Sequence, residues 1–122
     1  MFNGIIFNTG RVKYIQRKNN SIFIAIKSKI SFNKKDLGAS VSCDGVCLTI
    51  SKVYKDLIYF YISAETLKKS NFKNLVINQT INLEKSLKVG QRISGHFTQG
   101  HVDSVAKIIK ISLIDKSWII KF

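Results

Sequence analysis

Ser40-Val41-Ser42-Cys43-Asp44-Gly45-Val46-Cys47-Leu48-Thr49-Ile50-Ser51 is the stretch that decides how this chain folds. Asp44-Gly45 is a two-residue turn signal between two short runs, the pattern of a tight β-hairpin. Along the second run Val46, Leu48 and Ile50 alternate with Cys47, Thr49 and Ser51. Side chains of a strand point to opposite faces in turn, so the first set faces a core and the second presents a thiol and two hydroxyls elsewhere. That second surface is chemically too particular for ordinary solvent filler.

Strand-like runs flank this hairpin on both sides. They cover about Gly10 to Tyr14, Ser21 to Ile26, Ala39 to Cys43, Val46 to Val53, Leu57 to Ile62 and Thr80 to Glu84, with turn signals at Asn19-Asn20, Asp44-Gly45, Lys55-Asp56 and Lys73-Asn74. Six short strands predict an all-β domain, a small barrel or a sandwich. Ser63 to Asn71 reads as one short helix: Ser63 caps it, Glu65 lies near its positive end, Lys68 and Lys69 near its negative end, and Asn71 terminates it.

A chain of 122 residues holds one domain with its own core, or one small domain and part of another. Hydrophobic residues at 45% and aromatics at 11% place it among folding chains rather than disordered ones. The longest apolar runs are strand-sized, and Met1-Phe2-Asn3-Gly4-Ile5-Ile6 lacks the basic region and long apolar run of a signal peptide, so the expectation is a cytoplasmic protein with no membrane partner. Lys and Arg number 20 against 7 acids, for a net charge of +13. They are scattered as singles and pairs, which reads as a solvated lysine surface and not as a specific nucleic-acid site. Cys43 and Cys47 are the only cysteines; two thiols without a secretion signal are expected reduced, and with two distant histidines they make a poor zinc set, so no metal is expected.

Both histidines, His96 and His101, fall within Gly95-His96-Phe97-Thr98-Gln99-Gly100-His101-Val102-Asp103, where Gly-His occurs twice. Glycine permits close backbone approach and imidazole titrates nearest neutrality, so the run suggests a ligand-facing element; two histidines satisfied at a strand entry would look the same. Beyond it Asp103 to Ile108, a longer turn, and Ser117 to Ile120 echo Gly10 to Ile15 and Ser21 to Ile24, as though a second repeat begins. The domain boundaries expected are 1–95 for a first barrel and 96–122 for the incomplete start of a second.

Five motifs, in order, resemble the amino-terminal half of riboflavin synthase of the lumazine-consuming alpha type: Met1 to Ile6, Ser40 to Thr49, Ala64 to Asn71, Asn82-Leu83-Glu84-Lys85-Ser86-Leu87, and Gly95 to Asp103. The chain departs from the usual pattern at Asn3, where threonine is common, and over Tyr61-Ile62-Ser63-Ala64. The resemblance implies a six-stranded antiparallel Greek-key barrel with one short helix, followed by the truncated start of a second similar barrel. It implies an activity that moves a four-carbon unit between two molecules of 6,7-dimethyl-8-ribityllumazine, giving riboflavin and 5-amino-6-ribitylamino-uracil, with no cofactor. It also implies a homo-oligomer, a trimer at full length, with association with lumazine synthase as a further partner, and an active site that this stretch alone leaves incomplete. Carried over by position, ligand contacts fall on Gly4, Ile5 and Ile6, on Cys47, Leu48 and Thr49, on Tyr61, Ile62, Ser63, Ala64, Glu65 and Thr66, and on Gly100, His101 and Val102. Cys47, His101 and Ser40 are the catalytic candidates, with Cys47 as nucleophile or proton relay, His101 for proton transfer and His96 structural. Glu65 stands equally as a helix-end charge partner and as a ligand contact. A non-catalytic lumazine- or flavin-binding module is the alternative reading. A basic barrel stacking single-stranded nucleic acid on Phe60 and Tyr61 explains neither the Gly-His pair nor the Cys47 strand.

Overall fold

A computed structural model describes residues 1–122. β1 (Asn8–Lys18), β2 (Ser21–Ser28), β3 (Ser40–Cys43), β4 (Val46–Tyr54), β5 (Leu57–Ile62) and β6 (Thr80–Lys85) close into one antiparallel barrel in the order β1-β2-β5-β4-β3-β6. This is the Greek-key barrel, and the choice between barrel and sandwich is resolved by the pairing of β1 with β6. The opening hairpin forms as its sequence dictates: Asp44 and Gly45 both have positive φ, 46° and 86°, and Val41 pairs with Leu48 across it.

Val46, Leu48 and Ile50 point inward with Val12, Ile22, Ile24, Ile26, Val41, Ile58, Phe60, Ile62, Ile81 and Leu83 to make the core. Cys43 is also inside, fully buried, and burial pushes its thiol far above its ordinary range, which keeps it protonated. Gly10 marks where the barrel closes: a Cβ there would lie 2.5 Å from Ile26 and 2.6 Å from Leu83. β1 runs past the expected Tyr14 to Lys18 because a register shift between Val12 and Tyr14 resets the alternation, and the charged continuation still pairs with β2.

The expected helix is shorter than its sequence pattern. α1 spans Ala64–Lys69; Ser70 is extended, at φ −132° and ψ 170°, and its hydroxyl oxygen caps a separate 3₁₀ turn over Asn71–Asn74. Phe72 in that turn is buried and joins the core cluster. A second 3₁₀ turn, Lys34–Asp36, was not signalled by any apolar period; it is held by a reciprocal Asn33–Asp36 cap and by Lys85, which donates to Asp36 at 3.2 Å and to the Ser31 carbonyl at 2.8 Å.

Of the strands expected after residue 96 a two-stranded hairpin forms, and its first strand lies later than expected. Asp103 to Ile108 is not a strand; the hairpin is β7 (Lys110–Ile114) and β8 (Ser117–Lys121) around Asp115-Lys116. The physical reason is the turn. Asp115 adopts φ 52°, as Asn19 does between β1 and β2, and a short polar side chain tolerates that left-handed state. The longer turn once expected is therefore a two-residue one. No helix is long and apolar enough to cross a membrane.

Candidate functional site

β4 pairs with β5 only from Ile50 onward, so the edge of its first half, Val46 to Thr49, is free of β5. The segment after β6 fills that gap. The Cys47 amide donates to the Gly100 carbonyl at 2.8 Å. Gly100 is at φ +76°, and a Cβ there would come within 3.0 Å of the Cys47 backbone nitrogen, so this contact requires glycine. Val102 then anchors the segment against the core cluster.

Across the gap stands α1. The Ser63 hydroxyl accepts the Thr66 amide at 3.3 Å and lies 3.1 Å from the Thr66 hydroxyl, which fixes the helix start. The helical spacing then brings Glu65 and Lys69, one turn apart, to the same side. Between β4, α1 and the incoming segment lies a cavity of about 230 Å³ lined by Val46, Cys47, Glu65, Thr66, Lys69, Gly100, His101 and Val102.

Lys69 donates to Glu65 at 2.9 Å. That bond, more than any other contact, holds the Glu65 carboxyl below its usual range and the Lys69 ammonium above its own, so both stay charged at neutral pH. Glu65 is thus a helix charge partner that also lines the cavity. Cys47 is half-buried and free, on the face opposite the core.

Most of the chain matches one described family. Residues 3–86 match the family model for the lumazine binding domain. The chain belongs to the lumazine-binding domain family. Among curated relatives, riboflavin synthase of Chlamydia muridarum is 36% identical over 111 residues, covering 91% of this chain and 56% of that protein. Riboflavin synthase of Bacillus subtilis is 32% identical, over 91% of this chain and 52% of its own length. The chain therefore spans about half the length of the curated relatives it matches. The same fold is seen in a crystal structure of LumP complexed with riboflavin, at TM-score 0.76 and 23% identity over 98% of this chain and 65% of that one.

The expected contacts divide. Cys47, Glu65, Thr66, Gly100, His101 and Val102 line one cavity. Thr49 is exposed and lies on the Cys47 face of β4, opposite Ser40 of β3, so the Ser40 and Thr49 hydroxyls extend that outer face. Ser40 itself lines a different cavity, of about 350 Å³, beside Asp36 and Lys85. Leu48 and Ile62 are core residues, and Ser63 is the cap of α1. Tyr61 is exposed and rests on Phe23 with ring centroids 5.0 Å apart, while Ala64 borders a groove behind the helix. Gly4, Ile5 and Ile6 lie outside the cavity; the amides of Asn3 and Gly4 donate to Glu84 instead. His96 contributes its backbone amide to Asn3 and is not at the cavity.

Val46 and Lys69, expected only as a core residue and a helix-end cation, also line the cavity. The i, i+4 spacing of Glu65 and Lys69 was the available signal for Lys69. A larger depression, about 760 Å³ between Arg11, Lys13, Lys27 and Lys29, has one hydrophobic residue in its lining and gives a flat apolar ring little to rest on.

Proposed function

We propose that this domain binds 6,7-dimethyl-8-ribityllumazine in the Cys47–His101 cavity and serves riboflavin synthase chemistry. The observation that carries the reading is the convergence of a half-buried thiol, an imidazole, a hydroxyl and glycine backbone at one opening. In the reaction, two carbons of one lumazine ring with their methyl groups pass to a second lumazine. The products are riboflavin and 5-amino-6-ribitylamino-uracil. The methyl on carbon 7 is acidic because its anion delocalises into the fused ring, so orientation and proton transfer are the work asked of the protein. His101 moves that proton, Cys47 faces the ring as relay or nucleophile, and Thr66 with Glu65 takes the ribityl hydroxyls. Ser40 and Thr49 act from the adjoining outer face.

A cavity of about 230 Å³ is smaller than the roughly 300–1,000 Å³ of pockets that enclose a whole ligand. It covers one side of a bicyclic ring and leaves the other open, which suits a second lumazine stacked upon it. Riboflavin is then the product held there, and a second barrel from another subunit of a homo-oligomer, trimeric at full length, closes the pair. Association with lumazine synthase and a cytoplasmic setting, where both free thiols persist, complete the proposal.

A second reading is a binding module without turnover: LumP, which shares the fold, is seen with 6,7-dimethyl-8-(1'-D-ribityl) lumazine bound. Incubating the chain with dimethylribityllumazine while following ligand fluorescence and riboflavin absorbance separates them. Binding with product, by the chain alone or joined to the second half of a riboflavin synthase, supports the synthase; binding without product in both supports the module, and no binding sinks both.

A further inference from the structure

Glu84 lies within the Asn82–Leu87 motif, and nothing in the cavity uses it. It sits on β6, opposite Ser42 of β3, and its carboxylate accepts the Asn3 amide at 2.6 Å and the Gly4 amide at 3.1 Å. Two successive backbone N–H groups aimed at one carboxylate form a small anion nest, opened by the positive φ of Gly4, 74°. Charge-assisted bonds of this kind are about twice as strong as neutral ones.

The segment so fixed is the seat of the cavity wall. Phe2, buried, exchanges backbone hydrogen bonds with Thr98 at 2.8 and 3.0 Å, the Asn3 carbonyl accepts the His96 amide at 3.0 Å, and the Met1 carbonyl accepts the Leu87 amide at 2.9 Å. Gly95 lies so close to the Asn3 carbonyl that no Cβ fits between them. Thr98 leads in two residues to Gly100, whose carbonyl receives the Cys47 amide. Between β6 and β7 there is no regular strand, so the amino-terminal segment is the principal backbone support of residues 95–98.

We propose that Glu84 is a positioning residue for the ligand cavity: by gripping the amides of Asn3 and Gly4 it fixes the Phe2–Thr98 pair, and through it the place of Gly100 and His101. This rests on the proposed lumazine-binding function for its consequence, but not for its geometry.

The test is amide hydrogen exchange on the full chain, with riboflavin affinity measured in parallel. In Glu84→Ala, the Cys47 amide exchanges about tenfold faster, or more, while the core amides of Ile24 and Phe60 keep their rates, as expected for a local opening. Riboflavin binding weakens by a similar factor, and Glu84→Gln, which retains one acceptor oxygen, recovers part of both losses. An unchanged Cys47 rate in Glu84→Ala overturns the proposal. Should that variant lose core protection throughout, Gly95→Ala decides, since it forces the clasp apart from the other side without touching the barrel: selective loss at Cys47 supports the proposal, and uniform loss or no loss contradicts it. If the unaltered protein binds no riboflavin, the functional reading falls, while the Cys47 exchange rate still judges the role of Glu84.

Discussion

The β1–β2 hairpin and the β7–β8 hairpin are built on one plan and have opposite fates. Each turns on a left-handed polar residue, Asn19 or Asp115, followed by a polar residue and then a serine opening an apolar strand. In the first, Ile22, Ile24 and Ile26 are at most 1% exposed; in the second, Trp118 is 66% and Ile120 46% exposed. Local sequence suffices to form the two-stranded ribbon. Burial comes from the strands that close over it, because two strands alone lack a second surface on which to pack.

The comparison breaks most readily at the core. Phe60→Ala should cost about 3–5 kcal/mol of barrel stability in urea unfolding, whereas Trp118→Ala should change it by less than about 0.5 kcal/mol. Equal losses at the two sites would mean that the β7–β8 hairpin is part of the barrel's cooperative unit. Next comes Gly10→Val, where added methyl groups meet Ile26 and Leu83; overpacking of this kind costs roughly 1–3 kcal/mol. A neutral outcome would show that β1 and β6 separate more easily than their close approach implies.

A smaller effect is expected with pH. Hydrogen bonding from the Asn33 backbone, aided by Lys85, holds the Asp36 carboxyl below its ordinary range. A carboxylate lowered on folding adds stability above its unfolded pKa, and that share is lost as pH falls through the folded value. Unfolding measured from pH 7 down to pH 3 should therefore show Asp36→Asn weaker by about 0.5–1 kcal/mol at neutrality and converging with the parent at low pH. A constant gap would assign the loss to packing instead. The slightest change belongs to Lys69→Met, which frees an exposed carboxylate: barrel stability should be unaltered while ligand affinity shifts by about threefold or less, and a large loss would make Lys69 a principal contact.

Most of the barrel was legible because it rests on period-2 alternation. Leu57 to Ile62 forms as written, and Val46, Leu48 and Ile50 face the core while Cys47, Thr49 and Ser51 do not. Elements governed by hydrogen bonds to single atoms were not legible. The 3₁₀ turn at Lys34–Asp36 depends on its Asn33 cap, and the break after Lys69 depends on Ser70, whose hydroxyl donates to the Thr66 carbonyl at 2.6 Å. β7 begins at Lys110 and not at Asp103 because the Asp115 turn, rather than the strand-like composition before it, sets which residues pair. For the cavity, the Gly-His run and the Cys47 strand were visible separately in the chain. That Gly100 docks on Cys47 is a long-range backbone contact with no local signature, and the bonding of the Asn3 and Gly4 amides to Glu84 likewise joins residues far apart along the sequence.

One titration tests the central claim directly: dimethylribityllumazine added to the full chain, with amide and side-chain shifts followed by NMR. The account predicts one saturable site, with the largest shifts at Cys47, Thr66, Gly100 and His101 and little change at Arg11, Lys13, Lys27 and Lys29. Shifts centred on that basic depression, or none at the Cys47–His101 opening at saturating ligand, would contradict it.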